Sequence, residues 1–453
     1  MDVRRRVLVV AILASFVSFL DGSVVNVALP AISAELATDP DQVLGLQQWV
    51  VDAYLITLGA LILVAGSVSD VYGRRRVLWW GLVGFGVTSV LCALAPTGAA
   101  LIVARALQGV AGALLVPSSL AMIVSAFTGA AQGRAIGIWT AWTGTASIIG
   151  PLLGGVFVDT LSWRWVFGIN VLPVAATLWL LRGVAEGERL GGRTIDVRGA
   201  MLAAVGLAGT VFALIEQGRF GWASPVVWGP LVVGLAALVA FGVWERRAPD
   251  PMLPLALFER RNFVWGNVAT AAIYGALYFG MFVVTLFVQQ VAGYSATAAG
   301  LALLPVTLLL LALSTTFGTL AGRYGPRLFM TLGPVLGGCG FLLMLTATAQ
   351  ASYLTQILPG VLLFGLGLAV TVAPSTATIL GAVRPQDAGI GSAVNNAVSR
   401  VAGLVVIAFA GLIIGPRLDV EGFHRALVVT AALLVVGGLV SWAGIRNPQR
   451  TPT

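Results

Sequence analysis

The sequence contains little charge, one histidine, two cysteines and no lysine. Only 10% of its 453 residues are charged and 58% are hydrophobic, and the mean hydropathy is +0.96. A soluble domain carries about 25% charged residues, so this composition excludes a water-soluble enzyme and predicts a polytopic membrane protein. Both cysteines, Cys92 and Cys339, lie in hydrophobic segments, and the single His424 leaves little scope for metal sites or acid–base catalysis.

Hydrophobic segments separated by charged residues, prolines and glycines predict fourteen membrane spans. About 20 apolar residues cross the hydrocarbon core, and continuous helices satisfy their own backbone hydrogen bonds in lipid. The sequence therefore predicts an all-α polytopic membrane protein. Spans 1 to 14 are predicted at 7–30, 47–67, 77–96, 100–124, 133–158, 164–182, 197–217, 225–244, 263–291, 297–321, 328–348, 353–381, 388–415 and 424–444.

The arginines indicate how these spans are oriented. An even number of spans places both termini on one side. With the termini in the cytoplasm, 20 of the 26 arginines fall in cytoplasmic segments and only Arg164, Arg219, Arg417 and Arg425 fall outside. This bias follows the positive-inside rule and predicts a multi-pass protein of the cytoplasmic (inner) membrane with both termini cytoplasmic. The apolar run after Arg4–Arg6 exceeds a signal-peptide h-region, so we interpret it as an uncleaved first helix.

Two glycine-rich loops repeat at an offset of 252 residues. Gly66–Arg76 follows span 2 and Gly318–Arg327 follows span 10, with Gly, Tyr, Gly and Arg in register. Both loops are predicted on the same side, which indicates a parallel repeat of two six-helix halves. The predicted parts are an N-terminal half at 1–182, a linker with the inserted helices of spans 7 and 8 at 183–258, and a C-terminal half at 259–453.

Motifs along both halves resemble those of the major facilitator superfamily, specifically its fourteen-helix drug:proton antiporter family. They are Leu20–Pro30, Trp49–Leu55, Gly66–Arg76, Arg105–Gly112, Gly144–Gly155, Trp163–Val171 and Gly389–Arg400. The resemblance implies the major facilitator fold and proton-coupled efflux of drugs or antibiotics by alternating access. It further implies a monomer in the lipid bilayer that handles a small amphiphilic substrate and protons, with no nucleic acid, no metal and no cofactor besides the proton gradient.

Three charged residues in the first half are candidates for proton coupling. Asp21 lies near the middle of span 1, Asp52 near the start of span 2 and Arg105 in span 4. A carboxylate at mid-membrane costs about 2.5–3.5 kcal/mol on insertion scales and is a functional candidate by default. We predict that Arg105 tunes proton binding at Asp21, that Asp52 is a second acidic site, and that the three form one polar cluster. The alternatives are a fixed Asp21–Arg105 pair and an Asp52 that merely caps the outer mouth.

The loop Gly66–Arg76 is a candidate conformational latch. Its arginines anchor the cytoplasmic face under the positive-inside rule. Asp70 is predicted to face the N-terminus of span 13 near 386–390, where the helix dipole favours a carboxylate. The latch would comprise Asp70, Gly73, Arg74 and Arg75.

Small residues in span 5 predict a close helix seam. Glycines four residues apart allow two helix backbones to approach, and such a seam would also block leakage. The motif residues are Gly144, Gly150, Pro151, Gly154 and Gly155.

Candidate residues for a substrate cavity are aromatic or polar. The aromatic group is suited to amphiphilic ligands, although such residues also pack against lipid or neighbouring helices. One acidic pair and two buried arginines favour neutral, zwitterionic or monocationic amphiphiles. For Arg400 both a substrate anion and a structural partner such as Asn395 or Asn396 are open. The candidates are Asn26, Trp139, Trp142, Tyr274, Tyr278, Asn395 and Arg400.

Proton-coupled export of drugs or natural products is the function that these features favour. Export of an endogenous metabolite, siderophore or lipid by the same mechanism is the main alternative. A membrane enzyme needs a nucleophile and a base within reach, which a lone histidine disfavours, and a channel is disfavoured by the repeat. A phosphate-binding loop of the G-x-x-x-x-G-K-[ST] type requires lysine, so ATP drive is not indicated. We expect no enzymatic activity.

Overall fold

A computed structural model describes residues 2–127, 129–186, 195–384 and 388–447 of the chain. Throughout these residues the regular secondary structure is helical, so the predicted all-α class is confirmed. The helices are α1 (Val3–Leu36), α2 (Val43–Tyr72), α3 (Arg74–Ala93), α4 (Gly98–Ala126), α5 (Gly129–Thr160), α6 (Trp165–Gly168), α7 (Val171–Leu181), α8 (Val197–Phe220), α9 (Pro225–Glu245), α10 (Arg261–Leu286), α11 (Ala296–Ala302), α12 (Leu304–Tyr324), α13 (Pro326–Leu343), α14 (Leu358–Gly381), α15 (Ala388–Ala408), α16 (Ala410–Ile414) and α17 (Val420–Gly444).

Among the described residues, twelve helical segments are long and apolar enough to cross a membrane. They correspond to predicted spans 1–4 and 7–14. Two shorter apolar helices, Ile149–Thr160 and Trp165–Leu181, correspond to spans 5 and 6. Span 6 is interrupted between α6 and α7, and α1 extends beyond its predicted limits at both ends, from Val3 to Leu36. Hydropathy therefore located the helices better than it located their ends.

The outer faces of these helices are apolar. Leu94, Leu172, Trp179 and Val239 each expose between 68% and 70% of their surface. Exposed apolar area on this scale marks a surface that interacts with another apolar phase. Because helices that satisfy their own backbone polar groups are stable in hydrocarbon, these faces suit contact with lipid.

The chain divides into two compact units. Unit 1 comprises Met1–Leu253 and Ser295–Gly300, and unit 2 comprises Pro254–Tyr294 and Leu301–Thr453. In unit 1, α1 packs on α5, and α4 packs on α2 and α3; in unit 2, α10 packs on α15, and α14 packs on α12 and α13. Both units thus pair spans in the same order. The inserted helices α8 and α9 form a hairpin in unit 1, and α8 also packs on α2.

The two glycine-rich loops have the same local structure. Gly73 ends α2 with φ +97° and Gly325 ends α12 with φ +91°. Each glycine N–H donates to the carbonyl four residues earlier, at 3.1 Å to Ser69 and 2.9 Å to Ala321. Positive φ strains residues with a Cβ, and a new helix begins at the next residue in both cases. Glycine is therefore required by the turn itself in both copies.

Candidate functional site

Asp21 lies fully buried in α1 and accepts three hydrogen bonds. Arg105 Nη1 donates to its Oδ2 at 2.6 Å, while Gln108 Nε2 and Asn170 Nδ2 donate to its Oδ1 at 3.1 and 2.9 Å. The donors come from α4 and from the break between α6 and α7. A buried carboxylate with a guanidinium and two amide donors is an ion pair whose remaining lone pairs are satisfied.

Arg105 joins three helices through one buried side chain. Besides Asp21, its Nη1 donates to Gln108 Oε1 at 2.6 Å, and its Nε donates to the Val50 carbonyl of α2 at 3.0 Å. The guanidinium also stacks over the Tyr54 ring, 4.4 Å from the centroid. Any change in its pairing with Asp21 therefore affects contacts among α1, α2 and α4.

Close approach of α2 and α4 depends on Gly109. A Cβ at this position would collide with Thr57 Oγ1 and the Tyr54 carbonyl. Thr57 Oγ1 in turn donates to the Ala106 carbonyl at 2.7 Å. The glycine of the span 4 motif thus places Arg105 against α2.

Polar residues behind Asp21 extend the network and were not assigned a role from the sequence. Ser89 Oγ of α3 accepts from Gln108 Nε2 at 2.9 Å and from Asn170 Nδ2 at 3.3 Å. Both amides lie within the motifs that carry the resemblance. Their polarity within a mainly apolar span is the feature by which they could have been identified.

Asp52 is also fully buried in α2. Neither carboxylate oxygen has a hydrogen-bond partner among the residues that the structure describes. The structure joins Asp21 and Arg105 by a hydrogen bond and leaves Asp52 outside that bonded network, and the polar cluster of all three stays a prediction. Arg105 bonds to the carbonyl of Val50 on this helix, and its charge is directed to Asp21.

One turn before Asp52, the inserted hairpin is tied to α2. Trp49 Nε1 donates to Glu216 Oε1 of α8 at 2.8 Å, and the Trp49 ring packs on Phe212 with centroids 5.9 Å apart. Glu216 lies near the end of predicted span 7 (197–217). The structure makes it the contact between the hairpin and the helix that carries Asp52.

A second ion pair lies near the end of α1. Glu35 accepts from Arg164 Nη1 at 2.7 Å and from Trp163 Nε1 at 2.7 Å. The paired side chains of Arg164 and Glu35 are 33% and 49% exposed, whereas those of Arg105 and Asp21 are 2% and 0% exposed. The two pairs therefore have similar lengths in very different surroundings.

The candidate latch residues are anchored within unit 1. Asp70 pairs with Arg74 at 3.5 Å, and Arg74 Nη1 donates to the Ala121 carbonyl at 3.1 Å. Arg75 donates from its backbone N–H to Glu186 Oε1 at 3.1 Å. The predicted partner of Asp70 near 386–390 lies partly outside the described residues, so the latch stays a prediction.

In unit 2, Arg327 is held in the same way as Arg75 in unit 1, except that an asparagine takes the place of the glutamate. Arg75 Nε donates to the Leu181 carbonyl at 3.2 Å, and Arg327 Nε donates to the Trp442 carbonyl at 2.7 Å. The Arg327 N–H donates to Asn447 Oδ1 at 3.1 Å, in the place that Glu186 takes in unit 1. The sequence analysis did not predict Glu186 or Asn447 as partners, because each lies far along the chain from the glycine-rich loop that it contacts.

The span 5 glycines form a seam inside unit 1. A Cβ on Gly154 would lie 2.8 Å from the Val24 carbonyl of α1, and one on Gly150 would collide with Ser23. A Cβ on Gly155 would lie 2.6 Å from the Ala296 carbonyl. At Gly150 and Gly154, α5 therefore lies too close to α1 for a side chain.

Pro151 and Gly144 are the remaining motif residues of span 5. Pro151 lies inside α5, and its carbonyl blocks a Cβ on Gly300. Asp159, at the end of α5, accepts from the N–H groups of Ala296 and Thr297 at 3.1 and 2.8 Å. The surroundings of Gly144 lie outside the described residues.

The cavity candidates of unit 1 have different environments. Trp139 Nε1 donates to Ser15 Oγ at 3.0 Å, and its ring packs against a small core of α1, α4 and α5 residues. Trp142 is 57% exposed. Asn26 Nδ2 contacts the Gly22 carbonyl at 3.5 Å on its own helix. Of these three, Trp139 has a clear packing role.

Two cavity candidates of unit 2, Asn395 and Arg400, form polar contacts. Asn395 Nδ2 donates to Asn267 Oδ1 at 3.2 Å and to Thr270 Oγ1 at 3.0 Å, and Arg400 Nε donates to Asn396 Oδ1 at 2.8 Å. This agrees with the structural alternative for Arg400. Two aromatic candidates are half-buried on α10: Tyr274 and Tyr278.

A family model described as the Major Facilitator Superfamily matches residues 11–407. The chain belongs to the Major Facilitator Superfamily. The puromycin resistance protein of Streptomyces alboniger is 35% identical over 88% of this chain and 80% of its own length. The methylenomycin A resistance protein of Streptomyces coelicolor is 32% identical over 99% and 94%, and the cephamycin export protein of Amycolatopsis lactamdurans is 35% identical over 87% and 82%.

Solved superfamily structures share this fold. A D-xylose–proton symporter superposes with a TM-score of 0.73 at 16% identity, over 98% of this chain and 99% of that one. A POT peptide transporter bound to sulfate gives 0.70 at 16% identity, over 97% and 93%. These likenesses confirm the major facilitator fold. The chain is thus a multi-pass membrane transporter whose relatives include antibiotic resistance and export proteins.

Proposed function

We propose that this superfamily transporter exports amphiphilic drugs or natural products in exchange for protons, by alternating access. Exchange requires an acid whose protonation is linked to a change of conformation. The fully buried Asp21–Arg105 pair is the observation that carries the proposal. A buried acid in a membrane helix is a functional candidate, and the partner of Asp21 is Arg105.

Protonation of Asp21 would act through Arg105. A proton on the carboxyl removes the charge that holds Nη1 at 2.6 Å, while the Val50 carbonyl and Gln108 Oε1 remain as acceptors. The Arg105 guanidinium would then keep its hydrogen bonds to α2 and α4 and lose the one to α1. We propose that this loosened contact is how proton uptake favours one arrangement of these helices over another.

Asp52 is proposed as a second proton-binding acid. An ionised carboxyl buried without a donor is costly, and a proton removes the charge. Both oxygens of Asp52 are in this situation among the described residues. Release of that proton would require a conformation in which water or another donor reaches α2.

The proposed orientation places both termini in the cytoplasm. The arginine distribution supports it, because 20 of the 26 arginines then lie in cytoplasmic segments. An inward proton gradient would then drive the substrate out of the cell. In bacteria, this membrane would be the cytoplasmic membrane.

The test is transport by purified protein in proteoliposomes under an imposed pH gradient. The probes are puromycin, methylenomycin A and a cephamycin, the compounds after which the relatives are named. We expect uptake of at least one probe that collapses with an uncoupler, together with probe-induced proton movement. Transport that persists unchanged without a pH gradient would refute proton exchange.

Acid-to-amide variants assign the proton sites. Asp21→Asn is expected to abolish gradient-driven transport, Asp52→Asn to weaken coupling, and Asp39→Asn, at an exposed position, to behave as wild type. Each variant is first checked for a single elution peak and intact helix content. Normal drug–proton exchange by folded Asp21→Asn would overturn the assignment of Asp21.

A further inference from the structure

Two buried carboxyls meet at one end of the inserted hairpin. Asp196 directly precedes α8 and Glu245 ends α9, and these residues are 9% and 3% exposed. One oxygen of each carboxyl accepts hydrogen bonds from neighbouring residues. Asp196 Oδ1 accepts from the Gly199 N–H and from Trp244 Nε1, both at 2.8 Å, and Glu245 Oε2 accepts from the Leu253 N–H at 2.9 Å.

The other oxygen of each carboxyl has no hydrogen-bond partner within the part of the chain that the structure describes. Asp196 Oδ2 and Glu245 Oε1 are buried without a hydrogen bond to any described residue. Both point at Gly199, where an added Cβ would collide with Asp196 Oδ2 and lie 2.7 Å from Glu245 Oε1. Two ionised carboxylates so placed would repel each other, and each would lack a donor. One proton between them supplies that donor, because a protonated carboxyl donates one O–H.

We propose that Asp196 and Glu245 form a proton-binding site in which the two carboxyls share one proton, and that this proton fastens residues 246–253 to the inserted hairpin. The fastening is the bond from the Leu253 N–H to Glu245 Oε2. Loss of the shared proton leaves two anions facing each other. Glu245 then moves away from Asp196, and the segment that ends unit 1 loses its anchor.

Among the described residues, the charged groups near this carboxyl pair form no ion pair with it. The Arg198 guanidinium lies over the Trp244 ring at 5.2 Å, and with Asp250 it lines a cavity of about 310 Å³ beside Asp196. Arg246–Arg247 follow directly on the chain. The ion pairs formed by the described residues involve other side chains. We infer that a proton offsets the charge of the pair.

Helix α2 also packs on α8, and the ionisable groups at the C-terminal end of α2 are engaged elsewhere. Asp70 pairs with Arg74 at 3.5 Å, and the Tyr72 ring packs on Trp80 with centroids 5.7 Å apart. The site is separate from Asp21 and Asp52. It would be present in a transporter that does not use protons, so the inference does not rest on the proposed exchange.

Hydrogen–deuterium exchange of the full-length protein in lipid nanodiscs tests the site. Because the folded form holds a proton, its stabilising effect is lost as pH rises. After correction for intrinsic rates, protection of residues 246–253 in wild type should fall by about tenfold or more between about pH 6 and about pH 9. Glu245→Gln should keep its protection, because its amide donates to Asp196 and still accepts from Leu253.

Two further variants make the test decisive. Asp196→Asn supplies a donor from the other side and should also be insensitive to pH, whereas Glu259→Gln, at an exposed position, should lose protection as wild type does. Infrared pH-difference spectra should show a protonated-carboxyl band in wild type that both amide variants lack. Protection independent of pH in wild type, equal loss in Glu245→Gln, or dependence on sodium at constant pH would overturn the shared proton.

Discussion

Breaking the buried Asp21–Arg105 pair should destabilise the protein far more than breaking the exposed Glu35–Arg164 pair. The pairs are 2.6 and 2.7 Å long, but their side chains are 2% and 0% exposed in the first pair and 33% and 49% exposed in the second. Removing one partner of a buried pair leaves an uncompensated charge and costs about 3–5 kcal/mol. An exposed pair contributes about 0–1 kcal/mol. Solvent exposure, not distance, decides the difference.

The contacts of Arg105 place Asp21→Asn near the lower end of that range. The guanidinium keeps the Gln108 Oε1 and Val50 carbonyl acceptors when the carboxylate is lost. We therefore expect a loss of about 3 kcal/mol for Asp21→Asn and less than about 1 kcal/mol for Glu35→Gln. In Glu35→Gln, Trp163 Nε1 keeps an acceptor.

Unfolding by SDS in mixed micelles gives the free energies, and a double variant completes the cycle. Asp21→Asn with Arg105→Leu removes both charges and should recover at least about 1 kcal/mol of the summed single losses, since paired residues couple by about 0.5–3 kcal/mol. Additive losses, or equal losses for Asp21→Asn and Glu35→Gln, would show that burial of the pair does not govern its effect.

Four further variants test the helix contacts, the glycine turn and the latch. Gly109→Ala should cost about 1–3 kcal/mol in the same unfolding assay because its Cβ meets Thr57 and the Tyr54 carbonyl, whereas Gly66→Ala, with nothing within 4 Å, should be neutral or stabilising; equal effects would refute this. Gly73→Ala should cost about 1–2 kcal/mol because φ is +97°, and an unchanged midpoint would contradict the turn argument. Asp70→Asn should shift the distribution of inward- and outward-open states in spin-label distance measurements, and an unchanged distribution would refute the latch.

Hydropathy and motif spacing predicted the helices and the Asp21–Arg105 contact because both follow from local properties. A long apolar run in lipid has few alternatives to a helix, and a nearby cation stabilises an ionised carboxylate buried in the membrane. The partners that complete the site were not predictable in this way. Asn170, which lies between α6 and α7, donates to Asp21 from a distant part of the chain, and Glu186 reaches Gly73 only after the chain has passed through five further helices. Such contacts depend on tertiary packing and leave no periodic signal in the sequence.

The two repeated units share a framework but not a charge distribution. At the 252-residue offset, Ile273 occupies the position of Asp21, and its side chain packs against Gly437 of α17. Gly322 likewise occupies the position of Asp70, with open space around it. The buried charge described in unit 2, Arg400, donates to a neutral amide on its own helix. Since a carboxyl is what binds and releases a proton, this asymmetry places the proposed proton chemistry in unit 1. Introducing an acid at Ile273 would therefore add a buried charge without the Arg105 and amide partners that make Asp21 tolerable.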